Sequence, residues 1–340
     1  MRRSVTGERT SVLCVVLAVG CGSAASKATD GGGVAGPTAQ QACADMAQAE
    51  CAERMSCSGG ANIERTFGNL DECTIRETLA CLNGLAAPQT GNSPALIEQC
   101  VAAFGTYSCA DYFNDNPPAA CTVVGARPAG AVCEFNGQCA SGYCSGTKDT
   151  LCGTCSAPPA AGASCAASNC GHAQTCVDAT LLCESYRTIG SACDAAGPCG
   201  SGLVCVGAVA ATSTPGACQA AAEGVGTACG GTMPGCDGGM GWFCGGAAGA
   251  KTCMAVSYVG DTMPCGDLSP TSFADCTAGD CYTGTGIAGA GQTGTCKTDA
   301  LEGAGCDTVL GPGCLTPARC VTNGDGSAGT CALPSGATCG

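Results

Sequence analysis

Between Gln41 and about Cys121, apolar and small residues return every three or four positions, the spacing of a helix face. Gln41 to Met55 predicts a first helix. Asp71 to Leu82 predicts a second, capped by Asp71 and stopped at Asn83-Gly84. Ser93 followed by Pro94 reads as an N-cap with proline at the first helical position, and Leu96, Ile97, Cys100, Val101 and Phe104 form one apolar face before Gly105. That is the third helix. Cys43 and Cys51 stand eight residues apart, as do Cys73 and Cys81. Residues so spaced lie about 12 Å apart along a helix and within about 80° around it, so two antiparallel helices can be stapled twice. The predicted bridges are Cys43 with Cys81 and Cys51 with Cys73; the partners of Cys57, Cys100, Cys109 and Cys121 stay open.

After Cys121 the helical period disappears and a Gly-rich pattern replaces it. Its mark is Gly-x-x-Cys, ending at Cys133, Cys165, Cys193, Cys229, Cys306 and Cys339, with Cys265 filling the one irregular place. Recurrence at 28 to 41 residues suggests an array of supersecondary units. Each unit carries four cysteines, and Gly between closely spaced cysteines favours tight turns and small two-stranded ribbons. The first unit has a fifth cysteine, Cys155, and the chain stops one residue past Cys339. Two pairing schemes fit: units interlocked by backward bonds, with Cys339 closing the sixth, or closed units whose two spare cysteines pair elsewhere.

The remaining apolar run, Val12 to Val19, follows Arg2, Arg3 and Arg9 and is too short to span a bilayer, as in a secretory leader. It ends Leu17-Ala18-Val19-Gly20-Cys21, which resembles a bacterial lipobox with Ala18 in place of the usual Leu. That resemblance implies cleavage before Cys21 and acylation of its sulfur; the alternative is an ordinary leader cut near Ala25. From Gly22 to Gln40 almost no apolar side chain is larger than Ala, which suits a flexible tether.

Composition strengthens this picture. Of 340 residues, 36 are Cys, whereas Leu, Ile, Val and Phe together number 46. So small an apolar share cannot hold 55 Gly by burial alone, and cross-links must do much of the work. Disulfides persist in oxidising compartments, so export is expected. The net charge is −14, and loss of Arg2, Arg3, Glu8 and Arg9 with the leader leaves the chain more acidic still. Such a surface repels nucleic acid. The expected division is 1–20 leader, 21–40 anchor and linker, 41–121 helical domain and 122–340 repeat array, with units starting near 133, 165, 193, 229, 265 and 306. The fold class is small disulfide-rich: an all-α disulfide-stapled N-terminal domain, then short Cys-rich repeats with little regular structure.

From about Ala131 to Cys218, Cys133-x5-Cys139-Ala-Ser-Gly-Tyr-Cys144 with Cys152-x2-Cys155 and the Gly-x-x-Cys marks resembles the cysteine-rich repeats of myxobacterial surface lipoproteins. Those repeats are similar to the N-terminal cysteine-rich region of Dickkopf proteins. The resemblance covers about a quarter of the chain closely, and the Wnt-antagonist activity of Dickkopf proteins does not transfer with cysteine spacing.

Catalytic signals are sparse. The single histidine, His172, sits in a loop, which excludes most His-based metal and triad arrangements. Cys152-Gly-Thr-Cys155 has redox or zinc spacing, but Pro158-Pro159 opposes the helix that a thioredoxin-like motif needs. Asn323-Gly-Asp325-Gly-Ser327 resembles the start of a calcium loop, with Pro334 where the bidentate Glu belongs. Asp71-Glu72 and Asp111 with Asp115 read as solvated acids, and Trp242-Phe243 as the plug of a repeat or an aromatic anchor. No metal, cofactor or catalytic residue is expected. The reading is a cell-surface or outer-membrane lipoprotein, a non-catalytic rod for adhesion, envelope spacing or partner binding. Its partners are the membrane through Cys21 and a protein or polysaccharide. The alternatives are a thiol-based metal or redox protein and an unrecognised hydrolase.

Overall fold

A computed structural model describes residues 36–340 apart from 147–149, 167–168, 178–179, 195–197, 210–213, 290, 323, 325, 337 and 340. The leader, Cys21, most of the tether and part of the calcium-like loop therefore lie outside the described residues.

Among the described residues, five α-helices come first. Helix α1, Ala39–Ser58, begins at Thr38, whose hydroxyl accepts from the Gln41 N–H, and ends at Gly59 in the left-handed region. The short α2, Ala61–Phe67, lies between Gly60 and Gly68, both at positive φ. Helix α3, Leu70–Ala86, departs from the expected bounds at both ends. Its cap is Asn69, whose side chain accepts from the Glu72 N–H, and it runs through Asn83-Gly84 to stop just before Ala87-Pro88. The proline disfavours helical backbone at the residue before it, and that outweighs the weak Asn-Gly signal. Helix α4, Pro94–Phe104, starts as expected with Ser93 capping and proline at N1, and α5, Cys109–Phe113, follows. Ile63 and Phe67 pack with Met55 against the Cys51–Cys73 bridge, while Ala42 and Ile97 pack with Met46, Leu82 and Leu85 around Cys43–Cys81. Cys57 joins Cys109 and Cys100 joins Cys121.

Six strand-paired units follow. The first holds β1 Val132–Cys133, β2 Cys144–Ser145 and β3 Gly153–Cys155. The second holds β4 Gln174–Val177 and β5 Leu182–Ser185, and the third β6 Ala192–Cys193, β7 Leu203–Val206 and β8 Gly216–Ala220. The fourth is the ribbon of β9 Trp242–Gly245 and β10 Thr252–Ala255. The fifth is larger than a ribbon: β11 Ser257–Val259, β12 Pro264–Ser269, β13 Ser272–Cys276, β14 Gly279–Thr283, β15 Gly286–Ile287 and β16 Thr293–Thr298 make one six-stranded sheet. The sixth holds β17 Gly305–Asp307, β18 Arg319–Thr322 and β19 Ala328–Ala332.

Every unit is bonded first cysteine to third and second to fourth, as in Cys193–Cys205 and Cys199–Cys218. The third and fourth cysteines face each other across a hairpin, Cys205 opposite Cys218 and Cys320 opposite Cys331, yet each bonds backward. The bridges are then the core: Cys133, Cys139, Cys144 and Cys155 form one cluster with no larger side chain in it. The units are closed and not interlocked. The spare cysteine of the first unit is Cys152, because Cys155 pairs with Cys139, and Cys152 bonds Cys339. Cys339 thus does not close the sixth unit; it ties the end of the array to its beginning across 187 residues.

The Gly-x-x-Cys mark has a backbone cause. Gly130, Gly162, Gly190, Gly226 and Gly303 all adopt φ of 80° to 85°. Their N–H groups donate to the carbonyl of the unit's fourth cysteine at 2.7–2.9 Å. An added Cβ would touch nothing at any of the five, so the left-handed backbone alone demands glycine. The irregular fifth unit keeps the bond and loses the residue: Thr262 stands at φ 64° and donates to the Cys296 carbonyl at 2.9 Å.

An open rod is the expectation from repeats, and the structure departs from it. All six units attach to the helices, and described residues from 36 onward form one compact unit. Gln138, fully buried, donates to the Pro88 carbonyl at 3.1 Å; Ala173 N–H donates to the Asp115 carbonyl, and Ser201 N–H to the Asn114 side chain. Gly241 of the fourth unit packs against Ala61. Arg65 pairs with Asp275 at 2.7 Å in the fifth. Buried Arg76 grips Glu302 at 2.7 Å and the carbonyls of Leu315 and Thr316 in the sixth.

Candidate functional site

The helices and the first unit, with His172 of the second, border a half-open cavity of about 400 Å³. Its walls come from α1 (Met46, Ala47, Glu50), α3 (Glu77, Ala80, Gly84) and α4 (Leu96, Ile97), closed by Val123, Phe135 and the Cys100–Cys121 bridge. Gln138 holds the Phe135 turn in place, its side-chain oxygen accepting from the N–H groups of Glu134 and Phe135 at 2.8 and 3.1 Å.

Two carboxylates converge here. Arg54 Nη2 lies 3.1 Å from Glu50 Oε1 and 3.3 Å from Glu77 Oε1, while Arg54 Nε donates to the Tyr112 hydroxyl at 2.7 Å. The guanidinium also rests over the Phe67 ring, 5.0 Å from its centroid. Burial, with the Glu50 carboxylate beside it, pushes the Glu77 carboxyl up to about 7, against the pull of Arg54. Burial likewise pushes the Tyr112 phenol up to about 12. The pair can hold a proton near neutral pH or take a cation in its place.

Neither glutamate is among the acids singled out from sequence, and the one-turn spacing of Glu50 and Arg54, common on any solvated helix, was the sole local hint. Glu77 reaches the same guanidinium from the antiparallel α3, a meeting that spacing along the chain does not show. The acids that sequence did single out stay apart. Asp71 is exposed at the start of α3, Asp111 accepts from Ser108 and Asn116, and Asp115 pairs with exposed His172 at 3.2 Å on the cavity's mouth.

The cysteines named from sequence meet as two antiparallel bridges, Cys43 to Cys81 and Cys51 to Cys73. Cys152 and Cys155 belong to different disulfides, so this pair is not a closed redox motif. Trp242 is half-buried and, with Met55, Met240 and Tyr258, lines a second cavity between α1, α2 and the fourth and fifth units. It is neither an enclosed plug nor a fully exposed anchor.

Fold and bonding together define a disulfide-rich protein with 17 disulfides, a short helical N-terminal region and many small strand pairs. Bridging on this scale is compatible with an exported protein. No helix among the described residues is long and apolar enough to cross a membrane. No known family, characterised protein or solved structure matches the chain.

Proposed function

We propose that the chain is an exported lipoprotein of the cell envelope, held to the membrane through Cys21, whose folded part is a non-catalytic interaction module. The observation that carries this reading is the closure of the cysteine framework: every described cysteine is bonded, and the last of them returns to the first unit. A scaffold so cross-linked keeps a binding surface in one conformation without a large core, which lowers the ordering cost of capture. The acidic charge favours a protein or polysaccharide partner over nucleic acid.

Intact mass before and after reduction, with fractionation of native cells, tests it. The expected result is a chain starting at acylated Cys21, no free thiol, sedimentation with membranes, and release by Cys21→Ala. Free thiols in the purified protein or a stoichiometric metal load would instead favour the thiol-based metal or redox reading. An unacylated, unanchored chain would overturn the lipoprotein reading.

The Glu50–Glu77 pair supports a second reading, a hydrolase with Glu77 as proton donor and Glu50 as its neighbouring carboxyl group. Both carboxylates are, however, drawn to one guanidinium nitrogen. This reading requires turnover of an ester or glycoside by the native protein that is lost in both Glu50→Gln and Glu77→Gln.

A further inference from the structure

We infer that the cavity between α1, α3, α4 and the first unit binds a small amphipathic amine, an ammonium group carried on a hydrophobic body. This rests on the interaction-module reading and names the ligand class of its cavity. Size and walls give the hydrophobic half: about 400 Å³ lined by Met46, Leu96, Ile97, Val123 and Phe135, within the roughly 300–1,000 Å³ of small-molecule sites.

The placement of charge gives the other half. Glu50 and Glu77 both line the cavity, whereas Arg54 does not. Its guanidinium is held behind them by the Tyr112 hydroxyl and the Phe67 ring. A ligand entering from the open side meets two carboxylates and, among the described lining residues, no lysine or arginine, with His172 engaged by Asp115 at the mouth. An anion would be repelled, and a wholly apolar ligand would strip water from a carboxylate and return no partner to it. An ammonium replaces that water and supplies the missing charge, since two carboxylates otherwise share a single guanidinium.

Proton and amine then compete for one place. The groups facing Glu77 are Glu50 and Arg54 from α1 and Tyr112 from α5, with His172 across the mouth. Glu77 releases its proton near 7 while Tyr112 stays neutral. Affinity for an amine should therefore rise as pH climbs to about 7 and level off above it, with a limiting slope of about tenfold per pH unit.

Calorimetric titration of the oxidised mature chain with octylamine, octanol and octyl sulfate tests the inference. At about pH 8 the amine remains protonated, and it should bind at least about tenfold more tightly than octanol, with octyl sulfate not binding. Lowering the pH to about 5 should shrink that preference. Glu77→Gln should reduce octylamine to the level of octanol and leave octanol unchanged. Ala80→Phe, which fills the cavity and keeps its charges, should abolish both. Intact mass confirms the full set of bridges in each variant. Equal binding of amine and alcohol by the native chain, or octylamine binding untouched by Ala80→Phe, overturns the inference. Neither result bears on the release of Cys21→Ala from membranes, so the two readings fail separately.

Discussion

The helical region and the six-unit array use the same bond for different ends. Among the helices, Cys51–Cys73 lies against Ile63, Phe67 and Met55, so it adds to an apolar core that already exists. In the array, Cys265, Cys276, Cys281 and Cys296 pack with Val259 as the only other apolar side chain of their cluster. There the sulfur atoms are the interior. A cross-link that reinforces packing can be lost with structure remaining, whereas one that substitutes for packing cannot.

Full reduction should separate the two most sharply. Hydrogen exchange followed peptide by peptide should show all six units unprotected and residual protection in α1 and α3; uniform loss would refute the contrast. Removing one bridge should cost about 2–4 kcal/mol in either region. Cys199→Ala with Cys218→Ala should open the third unit entirely, whereas Cys51→Ala with Cys73→Ala should leave α1 and α3 helical.

The next effect concerns the join between regions. Arg76 donates to Glu302 and to two carbonyls of the sixth unit, so Arg76→Ala should destabilise by about 2–3 kcal/mol in denaturant titration and loosen that unit. No change would mean that Cys152–Cys339 alone holds the array in place.

Stability should also depend on pH in both regions, through Glu77 among the helices and through Asp299 in the array, which burial, with Asp280 beside it, pushes up to about 6. Glu77 is pushed from 4.5 up to about 7. Between those values the folded chain keeps a proton that the unfolded chain has released, so stability is fullest below the lower value, falls as pH rises to the upper, and then levels. Glu77→Gln should make this stretch of a melting-temperature profile shallower, and an unchanged slope would reassign it.

The smallest effects belong to single backbone positions of the array. Gly190→Ala forces a side chain into a left-handed conformation and should cost about 1–2 kcal/mol. Thr262→Gly should have the opposite sign and gain about 0.5–1 kcal/mol, strain relief less the added freedom of the unfolded chain. Destabilisation by Thr262→Gly would show that the threonine side chain is itself needed.

Much of the local structure was legible. The Ser93-Pro94 start of α4 and the helical spacing of Cys43, Cys51, Cys73 and Cys81 follow from periodicity and capping, which act within a few residues. The Gly-x-x-Cys mark was legible as a repeat but not as a hydrogen bond to a cysteine further along. The candidate site was not legible, because Glu50 and Glu77 look like any surface acids until a cavity wall removes their water.

The sequence by itself determined that the chain divides at about Cys121 into helices and a cysteine-marked array, that covalent bonds carry much of its stability, and where each unit begins. Those properties are written in spacing and composition. Tertiary structure decided that each unit closes on itself, that Cys152 is the spare cysteine, and that the array is laid against the helices and tied back to its start. Which sulfurs meet, and which carboxylates lose water, depends on the approach of residues up to 187 positions apart. Spacing along a chain carries no record of that distance in space.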